Sequence, residues 1–280
     1  MNMLNKWALG IYGFSFPLFL TSAHMVFSFI MLLPFMMASP FRELHHDVIT
    51  KQWKGLACIG LFMAVNIAFN NLSLVSLSLS LNQVIRSSIP VMTALLAVVV
   101  ESKVPTRFEA AALVVLCAGV MLTVWEGLAG SAVGILLCLA GTVSNAAMMT
   151  MSGRVLSERV DALRLTFYTA PVSCLVLLPF YHWREAERLS EYASRHPDSA
   201  FLGVLAASCA CALTYNVVHY LMIQRTSAVT TTVLGEIKIV AILMLSALVF
   251  GEGRLMTLRM ALGCAVALLG RAPPGSGHVL

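Results

Sequence analysis

In a chain of 280 residues, 59% are hydrophobic and only 11% charged, against the roughly 25% charged residues of a soluble globular domain. That composition excludes an ordinary soluble protein and leaves no room for a large soluble domain beside a set of membrane spans. The formal net charge of +5 comes mostly from loop arginines, a signal of membrane topology and not of nucleic-acid binding.

In chain order, residues 1–13 (MNMLNKWALGIYG) form a piece too short to span and without a cleavable signal-peptide pattern. A first full span is predicted at 15–37, followed by the polar loop SPFRELHHDVITKQWK. Spans follow at 55–75 and 78–100, each long enough to cross a bilayer as a helix. KVPTRFE makes a tight connection to a span at 108–125, and Gly127 and Gly130 mark the next turn. Spans at 131–151 and 163–182 flank the loop SGRVLSERVDALR. HWREAERLSEYASRHPDS is the longest polar loop, with one surface helix expected in it. Spans at 200–223, 227–250 and 254–271 complete the chain before the loose tail APPGSGHVL. The expectation is an all-α polytopic membrane protein of nine full spans and an N-terminal stub. Assigning the loops alternately puts ten Lys and Arg on one side and six on the other. Three of those six share a loop with Glu185, Glu187, Glu191 and Asp198. The positive-inside rule then places the C-terminus in the cytosol.

Two cations fall inside apolar spans, Arg86 in the 78–100 stretch and Lys238 in the 227–250 stretch. A cation at mid-membrane costs roughly 2.5–3.5 kcal/mol on insertion scales, so each requires a partner or a task. The two stretches also match one another. An offset of 151 positions puts Glu101 on Glu252, Thr106 on Thr257 and Gly119 on Gly270, and brings Arg86 beside Lys238. Two halves that each place one buried cation near the same depth read as a two-repeat transporter for an anion.

Several segments carry a family likeness. LNKW followed by FPLFLTSAHM, NNLSLVSLSLSLNQVIRSSIPV, TFYTAP, and ALTYNVVHYLMIQRTSAVTTTVLGEIK together cover essentially the whole chain. On these the chain resembles the triose-phosphate and nucleotide-sugar transporter family of the drug/metabolite transporter superfamily. The resemblance implies ten helices in two inverted five-helix repeats, here 1–126 (incomplete at its N-terminus) and 127–271, with 272–280 as a tail. It also implies exchange of phosphorylated substrates across organelle membranes. Three departures stand out. Only the end of the family's first helix precedes LNKW, so a truncated form is expected, with an open lipid-facing gap beside the 15–37 span. Lys238 is followed by Ile239, where plastid phosphate translocators carry a Lys-Arg pair. FYTA and LGEIK stand where GDP-mannose carriers have FYNN-like and GALNK-like motifs.

The candidate substrate-binding residues are Arg86, Lys238, Tyr215, Asn216, Tyr220, His219, Asn82, Asn70, Asn145, Tyr168 and Gly235. Asn82 and Arg86 are four residues apart and share a helix face. A planar guanidinium grips a phosphate through two hydrogen bonds, and the resemblance assigns a basic residue at this position to phosphate binding. Gly235 leaves space one turn before Lys238. Glu236, about 200° around the helix from a residue two on, is a candidate partner of Arg86 in the empty state. Tyr215 with His219, and Asn216 with Tyr220, supply rings that stack on a base and amides or phenols that read its edge. Interhelical hydrogen bonding accounts for the same polar run. The stripes Asn66, Asn70, Ser73 and Thr142, Asn145, Met149 suit a polar cavity and interhelical bonding equally. Tyr168, beside Pro171, suits a cavity wall at a helix break.

Catalysis finds no support: no nucleophile–base pair, no phosphate-cradling glycine loop, and no metal cluster. The seven cysteines lack metal-ligand spacing and read as packing residues. No cofactor is implied. The expected function is an antiporter exchanging a nucleotide sugar for a nucleoside monophosphate across an endomembrane, Golgi first and plastid envelope second. A plastid-type sugar-phosphate/phosphate exchanger and a non-transporting membrane scaffold are the alternatives. The expected partners are a small phosphorylated substrate and the lipid bilayer, with no nucleic acid; a homodimer is left open.

Overall fold

The computed structural model describes residues 14, 16–39, 41–77, 82, 85–100, 102, 104, 110–111, 131–157, 160–195, 199–232 and 234–235. Within them the protein is helical, with no strand. The helices are α1 (Pro17–Met37), α2 (His45–Ser73, entered through a 3-10 turn at Arg42–Leu44), α3 (Ile89–Val100), α4 (Ala132–Ser157), α5 (Ala162–Arg184), α6 (Ala186–Arg195) and α7 (Ser199–Arg225). Among the described residues, five helical stretches are long and apolar enough to cross a membrane: Pro17–Met37, Arg42–Ser73, Ala132–Leu156, Ala162–Arg184 and Leu202–Arg225. The predicted span at 254–271, all of 108–125 but residues 110–111, and most of 227–250 lie outside the described residues, and with them the second half of the repeat match.

Helix boundaries differ from the sequence expectation in two ways. The segment before 55 is no loop, because α2 begins at His45. Its polar first turns carry an Asp47–Lys51 ion pair at 3.2 Å on an exposed face, an i,i+4 pairing that supports helix beyond the apolar stretch. Likewise α4 continues to Ser157, six residues past its expected end at 151. The 78–100 span, expected to be continuous, is interrupted. Ile85 and Arg86 are helical, Ser87 and Ser88 form a turn, and α3 starts at Ile89. Ser88 folds back on Ile85, its N–H donating to the Ile85 carbonyl at 3.2 Å and its Oγ donating to the same carbonyl at 2.7 Å. Pro90 has no N–H to donate to the Arg86 carbonyl four residues back, so the helix cannot run unbroken from Arg86 into α3.

The core is built on α2, which packs along α4 and α5, while α1 packs on α5, α3 on α4, and α7 touches α1, α4 and α5. Ile59, Met148, Met149, Leu156, Leu165 and Tyr220 share one buried cluster where α2, α4, α5 and α7 meet. Lipid is the natural partner of the outward faces, where Ile30, Phe35, Leu136, Leu175 and Leu202 are each more than half exposed. Between lipid-solvated helices, close backbone approach and polar contacts replace the hydrophobic effect as the source of association. Gly60 makes such an approach. A Cβ there would stand 2.7 Å from Val172 Cβ and 3.1 Å from the Thr169 carbonyl, and the Gly60 carbonyl accepts a 3.0 Å hydrogen bond from Ser173 Oγ. His24 on α1 and Ser208 on α7 are joined at 3.0 Å.

One carboxylate ties the start of α1 to the end of α5. Phe16 gives no side-chain cap and Pro17 has no N–H. The free amides of Leu18 and Phe19 instead donate to Glu185 Oε1 at 3.0 Å and Oε2 at 2.8 Å. Glu185 is 6% exposed, so the acid that composition places in a solvated loop is a buried anion at the positive end of a helix.

Gly60→Ala is expected to lower stability by roughly 1–3 kcal/mol, the ordinary range for overpacking, as a drop in the thermal unfolding midpoint in detergent. Gly203→Ala on α7, where a Cβ meets nothing within 4 Å, is expected to leave the midpoint unchanged or slightly raised.

Candidate functional site

The described residues of the segment before α3 are anchored to α2 through side chains. Asn82 is fully buried, and its Nδ2 donates to Ser73 Oγ at 2.8 Å and Asn70 Oδ1 at 3.2 Å. Cys138 of α4 completes this knot, its Sγ lying 3.4 Å from Asn82 Nδ2 and 3.7 Å from the Asn82 carbonyl. One turn on, Arg86 donates through a guanidinium nitrogen to Asn66 Oδ1 at 3.0 Å. The Asn66, Asn70, Ser73 stripe of α2 therefore serves interhelical bonding, and it does so by holding the segment that carries the cation. Gly141 permits α4 to close on this region, since a Cβ there would already sit 3.4 Å from the Asn70 amide nitrogen and 3.5 Å from the Asn66 carbonyl. Asn82 Oδ1 is buried and has no hydrogen-bond partner among the described residues. An unmatched acceptor there is costly in an apolar interior.

A second group sits further along α4. Cys138, Thr142, Asn145 and Met149 follow one another at i, i+4, i+7 and i+11, which is one helix face. Met149 is buried, and its sulfur meets His219 Nε2 of α7 at 3.2 Å. The His219 ring lies nearly parallel to that of Tyr215, with centroids 5.8 Å apart and 14° between planes. Tyr215 is 40% exposed, so one broad aromatic face is turned outward from α7. Asn216 and Asn145 are half-buried. Eight residues separate Gly141, beside the Arg86–Asn66 pair, from Met149, beside the aromatic pair. At the helical rise that is about 12 Å along the axis.

The remaining candidates divide. Tyr220 is 3% exposed and belongs to the central apolar cluster, a position that offers its ring to neighbouring side chains. Tyr168 is half-buried and its hydroxyl meets His45 Nδ1 at 2.6 Å, which places it at the α2 entrance. Gly235 is half-buried in the helical turn beyond α7, and a Cβ there would meet nothing within 4 Å. Lys238 and Glu236 lie outside the described residues.

Sequence reasoning passed over Arg164, which it counted among the loop arginines. Arg164 is 7% exposed. It pairs with Asp161, the N-cap of α5, and its guanidinium lies 5.0 Å from the Phe41 ring centroid. The signal was present as Asp161 three residues before Arg164, the spacing at which a capping acid reaches back along a first turn. Among the described residues there is no group of His, Cys, Asp and Glu that could hold a metal ion.

Comparison with known proteins agrees with this all-helical membrane architecture. Residues 1–272 match the family model described as the Triose-phosphate Transporter family. A probable sugar phosphate/phosphate translocator of Arabidopsis thaliana is 29% identical over 256 residues, covering 89% of this chain and 82% of the relative. The UDP-uronic acid transporter 1 of the same plant is 28% identical with the same coverage. An Arabidopsis GDP-mannose transporter is 25% identical over 274 residues, covering 96% of this chain and 79% of the relative.

Asn66→Ala removes the acceptor facing Arg86, a hydrogen bond to a charged group worth about 1.5–3 kcal/mol. The thermal midpoint is expected to fall accordingly. Asn71→Ala, which breaks no hydrogen bond among the described residues, is expected to leave it in place.

Proposed function

The chain belongs to the triose-phosphate transporter family, and from that premise we propose that it is an antiporter exchanging a nucleotide sugar for a nucleoside monophosphate across an endomembrane. The observation that carries this reading is the arrangement along α4. A guanidinium is held by Asn66, on the stretch of α2 against which Gly141 packs, and a parallel Tyr215–His219 pair stands against Met149. A nucleotide sugar needs a cation for its diphosphate and, some distance away, a flat aromatic wall for its base. A nucleotide is long enough to reach both; an inorganic phosphate is not.

In this reading Arg86 and Lys238 neutralise the phosphates from the two repeats, 1–126 and 127–271, of a ten-helix inverted-repeat fold. Tyr215 and His219 stack on the base, while Asn216, Asn145 and Asn70 supply amides around the cavity, with Asn82 holding the Arg86 segment in place. Gly235 keeps the approach to Lys238 open. Tyr168 and Tyr220 shape the surrounding wall. The repeats rock so that the cavity opens to one side at a time. The basic-residue bias places the C-terminus in the cytosol, and a Golgi membrane is the proposed setting.

A sugar-phosphate/phosphate exchanger is the second reading, favoured by the translocator named among the relatives and opposed by Ile239 after Lys238. Counterflow in proteoliposomes separates the two. Nucleotide sugars and nucleoside monophosphate are expected to exchange and compete well, and inorganic phosphate poorly; the reverse order would establish the sugar-phosphate reading instead.

Two substitutions test the site in the same vesicles. Arg86→Ala is expected to weaken substrate affinity tenfold to over a hundredfold, corresponding to about 1.5–3 kcal/mol for a charge-assisted hydrogen bond, with Arg86→Lys milder because only the fork is lost. Tyr215→Ala is expected to weaken nucleotide-sugar exchange about fivefold or more, from the roughly 1–3 kcal/mol of base–aromatic stacking, while hardly changing competition by inorganic phosphate. Exchange at the native rate in Arg86→Ala would rule out the anion-site assignment.

A further inference from the structure

Where α5 runs into α6, beside the last turns of α2, there is a cavity of about 190 Å³. Leu18 of α1, Ala68 and Leu72 of α2, and Phe180 of α5 supply its apolar lining, and Asn71, Arg184, Glu185 and Arg188 a comparable polar share. Both arginines are exposed, and neither forms an ion pair or hydrogen bond with a described residue. The carboxylate between them in sequence is committed elsewhere, since both oxygens of Glu185 accept from the Leu18 and Phe19 amides. Among the described residues the two cations, four residues apart, have no ion-pair partner, and Glu185, which lines the same cavity, has both oxygens engaged by backbone amides. Their guanidinium groups rest on rings, Arg184 at 5.5 Å from the Trp183 centroid and Arg188 at 5.7 Å from that of Phe16. Trp183 is 70% exposed and follows Leu175 and Leu178, which are 67% and 46% exposed. An outward tryptophan after lipid-facing leucines marks the depth at which a span meets the headgroup layer.

We propose that this cavity binds an anionic phospholipid, its phosphate held by Arg184 and Arg188 and its glycerol and upper acyl region lying against Leu18, Ala68, Leu72 and Phe180. The shape of the demand is amphiphilic. A free phosphate would satisfy the two guanidinium groups and leave the apolar wall wet, whereas a phospholipid satisfies both and reaches the site from the bilayer without crossing water. By the basic-residue bias the ends of α5 and α6 that carry both arginines lie opposite the C-terminal side, so the lipid is taken from the non-cytosolic leaflet. Asn71, which also lines the cavity, offers an amide to the headgroup. The site rests on no part of the transport reading.

The test is binding of fluorescent phosphatidylinositol to the full chain purified in detergent, with phosphatidylcholine, glycerophosphoinositol and inorganic phosphate as competitors. R184Q and R188Q are each expected to weaken phosphatidylinositol about fivefold, the affinity equivalent of one basic residue at an anionic surface. The double variant is expected to bring it to the level of phosphatidylcholine. K51Q/K54Q, at the other end of α2, is expected to bind as the native chain does. Unchanged affinity in R184Q/R188Q, or an equal loss in K51Q/K54Q, would overturn the site. Competition by glycerophosphoinositol or inorganic phosphate as strong as by the lipid would overturn the lipid assignment in favour of a soluble phosphate. Size-exclusion profiles check that the variants remain folded, and the single substitutions carry the measurement should the double variant not elute as the native species.

Discussion

A guanidinium inside an apolar bundle cannot be left to water, and much of this structure is arranged around that constraint. Arg86 would cost several kcal/mol unaided at membrane depth, so the protein brings it an acceptor, Asn66 on α2. Holding that acceptor in place requires the cation's own segment to be fixed, and Asn82 does so through Asn70 and Ser73. The segment need not be a continuous helix to be held this way. The turn at Ser87 and Ser88 interrupts the span directly after the cation, and non-helical backbone at membrane depth is tolerated where protein surrounds it or it lines a cavity. The close approach at Gly141 then brings α4 against the same asparagines, so a glycine, three amides, a serine and an arginine form one unit across three elements.

Much of this was legible in the sequence, and the reasons differ by residue. Membrane class followed from composition, and the centres of the described spans from apolar length, because in lipid nearly every helical face can be apolar. That uniformity is also why helix ends were misplaced. Apolar periodicity stops where lipid stops, whereas α2 begins at His45 and runs ten residues before Gly55, carried by hydrogen bonding and the Asp47–Lys51 pair. Arg86 announced itself because a cation in an apolar run is rare. Asn66, Asn70 and Asn82 were visible as polar stripes, but which stripe met which required the fold. The roles of Glu185 and, but for Asp161 three residues before it, Arg164 were hidden for a sharper reason. Each lies at a span boundary, where charges are ordinary, and only the third dimension shows that one caps a distant helix and the other is buried against Phe41. Lys238, by contrast, rests on sequence alone, since it lies outside the described residues.

Packing divides the described bundle into a tightly crossed part and a looser one. On α2 and α4, glycines sit where a side chain would collide: a Cβ at Gly55 would meet Val155 at 2.7 Å, at Gly60 Val172 at 2.7 Å, and at Gly134 Leu77 at 2.9 Å. Backbones this close cannot slide without losing their contacts, so α2, α4 and α5 act as a platform. The glycine of α7 at position 203 has open space instead, and α7 reaches its neighbours through side chains such as His24–Ser208 and His219–Met149. Side-chain contacts can exchange partners through small shifts, which is the condition for shear between packed elements. The cation is tied to the platform and the aromatic pair is carried by α7. In the proposed mechanism a ligand long enough to touch both therefore bridges the fixed part and the movable one, and its binding energy bears on their relative position. A ligand confined to the cation would neutralise charge without drawing α7 inward. The division of the site between a glycine-crossed platform and a side-chain-held helix thus gives the length of the substrate a mechanical consequence as well as an energetic one.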